Sequence, residues 1–166
     1  DLLFEEGLIM DIVQSPHKDI AVVDRFKPYM DGTVILANEG VTTSMTMKSD
    51  QSTDFDYQNA LKTVNIYSLS QDTMQHYFLP TLDHYVDLEL TDQFYEAVMA
   101  QLVYQGDLRM AIHLTGARRW AEIDTEKDLR HAELMFVKTS GNKDDNSIGS
   151  RVDEEANRES TQTWIR

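Results

Sequence analysis

Four consecutive apolar residues, Ile20-Ala21-Val22-Val23, stand between two aspartates, Asp19 and Asp24. The run is too short for a helix, and in a strand successive side chains point to opposite faces, so both faces must be covered. That predicts a strand in the middle of a layered, partly parallel α/β domain. The flanking pattern agrees. Leu2-Leu3-Phe4 reads as a strand, and Leu8, Ile9, Ile12 and Val13 fall on one face of a helix over residues 5–14 that Ser15-Pro16 ends. Thr33-Val34-Ile35-Leu36 and the Thr/Met stretch up to Lys48 flank an Asn38-Glu39-Gly40 turn, which predicts a hairpin. Thr63-Val64-Asn65-Ile66-Tyr67 is β-branched and alternating. Residues 71–88 carry Met74, Tyr77, Phe78 and Leu82 at near-helical spacing, with a kink or split expected at Pro80. A helix capped by Thr91 should run through Tyr104 and stop at Gly106, followed by strands at 108–112 and 120–123. Thr125-x-x-Asp128 is a capping-box variant that opens a last helix through Phe136.

Alternating strands and helices over residues 1–138 therefore predict one α/β domain. Within 139–166 the apolar residues are sparse and charges of both signs intermix, which predicts a polar tail or linker. The polar stretch 49–59, with Phe55 and Tyr57, suits a lid over a site.

The charge balance excludes some functions. With 15 Lys and Arg against 29 Asp and Glu, the net charge of -14 repels a nucleic-acid backbone. No run approaches the roughly 20 apolar residues of a membrane span. The chain has no cysteine, so disulfides, thiolate metal sites and a Cys nucleophile are excluded. A cytoplasmic location is the expectation that fits. His17, His76, His84, His113 and His131 show no metal-ligating spacing and read as surface or partly buried side chains.

The sharpest chemical feature is Trp120-Ala121-Glu122-Ile123-Asp124, where two carboxylates at i and i+2 share a face of an extended segment and can converge on a hard cation. On spacing alone, Asp124 and Thr125 serve equally as helix-start residues, and Glu122 as a solvated strand residue. Read as Trp-x-Glu-Ile-Asp-Thr-x-x-Asp-Leu with a following Ala-Glu, however, the segment resembles the closing motif of nucleotidyltransferases that activate phosphorylated small molecules. Asp31-Gly32-Thr33-Val34, Lys62-Thr63-Val64-Asn65-Ile66-Tyr67 and Phe94-Tyr95-Glu96-Ala97 resemble the phosphocholine and aminoethylphosphonate cytidylyltransferase branch. The likeness extends from residue 1 to about 136.

The resemblance implies a Rossmann-like, mostly parallel layered sheet of which this chain is the C-terminal portion. It implies Mg²⁺ held by Asp1, Glu122 and Asp124, and a nucleoside triphosphate attacked by a small phosphorylated acceptor. Lys62 would hold the acceptor phosphate as the catalytic residue, although a lysine opening a strand also reads as solvated. Tyr29, Asp31, Tyr95 and Glu96 would shape the acceptor pocket, and Trp120 would offer an aromatic face to a cationic head group. The Gly-rich Leu-Ala-Ala-Gly-x-Gly-x-Arg loop and the Pro-Lys of that family do not occur here. The expectation is therefore a portion with weak or no activity of its own, and a homodimer or a fused second domain are the expected macromolecular partners. The alternative is a non-catalytic α/β interaction or dimerisation module.

Overall fold

The computed structural model describes residues 1–137; the segment 139–166, expected to be a tail or linker, lies outside the described residues. β2 (Ile20–Arg25) is sandwiched between two apolar clusters, as its unbroken apolar run requires. On one side Val22 packs with Leu8 and Val64, and on the other Ala21 and Val23 join Ile35, Met45, Phe78, Val98, Met99 and Leu102.

The strand connectivity differs from the mostly parallel, Rossmann-like layering. β2 pairs antiparallel with β5 (Leu61–Ser68), β5 with β3 (Val34–Asn38), β3 with β4 (Val41–Thr46) and β4 with β6 (Ala111–Leu114). β6 then returns to lie parallel to β2, closing a five-stranded ring. The reason is the length of the connections. Only β3 and β4 are joined by a short link, a two-residue turn that permits antiparallel pairing alone, whereas the β5-to-β6 connection is long enough to bring β6 back in β2's direction. The hairpin itself is where the sequence placed it, with Glu39 and Gly40 both at positive φ (50° and 76°), as a two-residue primed turn demands.

Helices close the two faces. α1 (Glu6–Val13) follows β1 (Leu2–Phe4) and buries Leu8 completely. The stretch expected to kink or split at Pro80 is helical throughout but changes its winding just before the proline. α2 (Gln71–Thr73), capped by the Ser70 hydroxyl, runs through a π-helical segment, Met74–Phe78, into α3 (Leu79–Asp87). Pro80 lacks an N–H and crowds the carbonyl four residues back, and the wider π turn just before it relieves both problems. α4 (Tyr95–Gln105) starts later than a Thr91 cap would give, with Phe94 at its N-cap, and ends at left-handed Gly106 as expected. Leu108 and Met110 are buried but precede the strand, so β6 begins three residues later than the alternation of 108–112 suggested. No helix among the described residues is long and apolar enough to cross a membrane.

β7 (Trp120–Glu122) pairs antiparallel with β1, Leu2 opposite Glu122, outside the ring. Its approach is pinned by two arginines. Arg118 makes a two-pronged ion pair with Asp11 of α1 (2.8 and 2.9 Å), and Arg119 pairs with Glu5 and donates to the Met135 carbonyl of α5 (Glu126–Val137). The expected capping box is present: Thr125 N–H donates to Asp128 Oδ2 (2.9 Å), and Asp128 N–H donates back to Thr125 Oγ1 (3.3 Å).

These contacts set a pH dependence. The Arg119 side chain holds Glu5, the Arg118 side chain Asp11, the Lys48 side chain Asp31 and the Thr125 hydroxyl Asp128 below their ordinary values. A carboxyl depressed in the folded state contributes stability that is present above its unfolded pKa, near 4, and is lost as pH falls through the lower folded value. Urea midpoints are expected to be flat from about pH 7 to 5 and to drop below about pH 4. Glu5→Gln with Asp11→Asn should flatten that drop.

Candidate functional site

The β7 register delivers Glu122 to Lys62. Lys62, the second residue of β5, lies opposite Asp24 of β2, and its side chain is only 1% exposed. Burying an ammonium requires compensating acceptors. Lys62 Nζ has two, the Thr63 carbonyl at 2.7 Å and Glu122 Oε1 at 2.9 Å. The same Glu122 oxygen accepts from Asn65 Nδ2 at 2.9 Å, and Asn65 Oδ1 accepts from Thr63 Oγ1. Asn65 sits at φ 59°, a backbone state that Asn tolerates better than most residues and that turns its amide towards Glu122. Lys62, Asn65 and Glu122 thus form one hydrogen-bonded cluster.

Gly32 forms part of the wall of this cluster. Its φ is 104°, and a Cβ there would lie 3.2 Å from Lys62 Nζ. Gly32→Ala is expected to cost about 1–3 kcal/mol through the backbone alone and to displace the ammonium. The check is a melting-temperature loss together with shifted NMR signals of the Lys62 and Asn65 side chains, while Gly40→Ala, with open space around it, should show only the first effect.

The other residues singled out in the sequence divide into two groups. Asp31 accepts from Lys48 Nζ at 2.7 Å and from the Gly32 N–H, beside Lys62. Tyr95 lines a cavity of about 290 Å³ with Asn65, Tyr67, Leu69, Met74, Phe78 and Met99. Glu96 accepts from the Tyr67 hydroxyl at 2.8 Å, and Tyr67 meets Tyr95 edge-on at 6.1 Å. Burial and then the Glu96 charge push the Tyr95 phenol up to about 12, and raise Tyr67 further in the same direction. Both rings are therefore neutral at pH 7. Trp120 does not line this cavity: its indole N–H donates to Asp24 Oδ2 (3.0 Å) and its ring packs against the Leu8, Val22, Val64 cluster. Tyr29 is largely exposed on its loop. The 49–59 stretch is fastened down, with Tyr57 stacked on Phe26 and Gln51 Nε2 donating to the Gly32 carbonyl.

Asp1 pairs with Ile123 at one end of the β1–β7 pair, its N-terminus donating to the Ile123 carbonyl and its own carbonyl accepting from the Ile123 N–H, and Asp124 follows one residue on. Asp1 and Asp124 are both exposed. Among the described residues, no three His, Asp or Glu side chains gather closely enough to hold a metal ion. Three residues of the site were not singled out from sequence: Asp24, Asn65 and Tyr67. Asp24 carried a signal as the carboxylate at the end of a buried strand, and Asn65 as the polar intrusion in a β-branched one.

No family model matches the chain. It is 28% identical over 138 residues to the CMP-5'-(3-aminopropyl)phosphonate synthase of Streptomyces rubellomurinus, covering 82% of this chain and 22% of that protein. The chain thus spans about a fifth of the curated relative it matches. Its fold is shared with the inositol-1-phosphate CTP transferase from T. maritima: the TM-score is 0.54 at 18% identity, over 81% of this chain and 51% of the other. The likeness, in sequence to one and in fold to the other, is to nucleotidyltransferases of the cytidylyltransferase kind.

Proposed function

We propose that this chain forms the acceptor-binding portion of a cytidylyltransferase that joins CTP to a small amine-bearing phosphonate or phosphate. In the complete reaction an acceptor oxygen attacks the α-phosphorus of CTP, the α–β phosphoanhydride bond breaks and pyrophosphate leaves. The acceptor oxygen is already anionic, so no general base is needed. Catalysis then rests on positioning and charge neutralisation.

The observation that carries this reading is the Lys62–Asn65–Glu122 cluster and its neighbour. Asn65 belongs both to the cluster and to the aromatic cavity lined by Tyr67 and Tyr95. An acceptor lying across the two would present its anionic end to Lys62 and its ammonium end to neutral aromatic rings and the Glu96 carboxylate. The name of the Streptomyces relative fits an acceptor with both ends charged.

Mg²⁺ needs only one or two protein carboxylates, with phosphate and water oxygens completing its shell. The donor chemistry of Asp1 and Asp124 suits that role, while the Glu122 oxygen nearest the cluster is already shared by two donors. When bound, the ion would neutralise charge on the transferring phosphoryl group.

The test is pyrophosphate release from CTP with 3-aminopropylphosphonate, aminoethylphosphonate or phosphocholine, in the longest natural polypeptide that contains this chain. Release that requires the acceptor's amine supports the proposal. Equal turnover with methylphosphonate, which lacks the amine, removes the aromatic cavity from it, and no turnover with any of these acceptors rejects it.

A further inference from the structure

A second depression, of about 330 Å³, opens at the start of β2 rather than at its Asp24 end. It lies where three strands begin: Asp19 leads into β2, Val41 opens β4 and Ala111 opens β6. Its floor is rigid, since Val41 and Ala111 are cross-strand partners and the Ala111 N–H donates to the Asp19 carbonyl at 2.9 Å. His17, Lys18 and Arg109 line the rest. The volume falls at the lower end of the roughly 300–1,000 Å³ typical of small-ligand sites.

The charge pattern makes this depression unusual. Residues 1–137 contain ten Lys and Arg, six of which (Lys27, Lys48, Lys62, Arg118, Arg119 and Arg130) are in ion pairs. Among the described residues the other four, Lys18, Arg25, Arg109 and Lys127, have no carboxylate within ion-pair distance. Two of those four converge on this one depression, with a histidine beside them, in a chain of net charge -14. The one acid lining it, Asp19, has Oδ1 committed to the Ser70 N–H at 2.7 Å.

We propose that this depression is a binding site for a small multiply charged anion of the phosphate type, held by Lys18 and Arg109 with His17 as a further donor. Arginine and lysine are the side chains that phosphate oxygens select, and two of them on a rigid floor form a preorganised pair. The site is separate from the Lys62 cluster, which lies at the other end of β2, and does not depend on the function proposed for that cluster.

The experiment is a titration of the ¹⁵N-labelled chain with pyrophosphate at constant ionic strength, read by amide shifts. Saturable shifts confined to residues 17–19, 41 and 109–111, with a Kd in the low-millimolar range or tighter, are expected (about -4 kcal/mol at 1 mM). Lys18→Ala and Arg109→Ala should each weaken binding by about tenfold or more. Arg25→Ala with Lys127→Ala, which removes the other two unpaired cations, should leave it unchanged. The side chains changed at the site are exposed, so an intact spectrum shows that the fold is kept. No saturation by about 20 mM, or equal weakening in the Arg25/Lys127 control, would overturn the proposal.

Discussion

Lys62→Met is expected to lower the stability of this chain by about 3 kcal/mol, and turnover in the proposed reaction by about a hundredfold or more. The stability loss follows from which partner is removed. Lys62 is almost wholly buried while Glu122 is 29% exposed, so deleting the ammonium leaves a half-buried carboxylate whose only remaining donor in the cluster is Asn65. Removing one member of a buried pair costs more than removing both. Lys62→Met combined with Glu122→Gln should therefore recover part of the melting temperature, because a neutral amide can still bond Asn65. Turnover should not recover with it. The anion that Lys62 is proposed to hold has no other buried ammonium to meet among the described residues. If the double variant regains activity along with stability, Lys62 is a structural lysine and the acceptor phosphate is held elsewhere.

Lys62 also shows what a sequence displays and what it withholds. Its candidacy came from a resemblance carried by neighbouring residues, but its burial was not legible, because the carboxylate that neutralises it lies sixty residues further along. Asn65 was passed over for the same reason: its two partners come from its own strand and from β7. Features written in adjacent residues were legible. The apolar run of β2 reports two covered faces directly, and Thr125 and Asp128 satisfy each other across three residues. Strand order was not, since antiparallel and parallel strands in a covered sheet share the same apolar composition. Only the connection lengths separate them, and those depend on where helices end. Pro80 marked a disturbance correctly, but a proline does not specify whether the helix breaks or widens.

The second large effect is expected at α4. Leu102, 2% exposed, packs into the larger cluster, and Leu102→Ala should cost about 2–5 kcal/mol, seen as a lower urea midpoint with an unchanged slope. Tyr104, two residues on and 92% exposed, should cost within about 0.5 kcal/mol when changed to Ala. The contrast tests more than packing, because α4 supplies a wall of the proposed acceptor cavity. Met99, one turn before Leu102, lines that cavity, as does Tyr95 at the start of the helix, and Glu96 receives the Tyr67 hydroxyl. Loosening the seat of α4 should therefore weaken acceptor binding in the fraction that remains folded. Equal stability of the two variants would mean that α4 is not seated on the ring through Leu102. The cavity would then lose the element that holds Tyr95 against Tyr67.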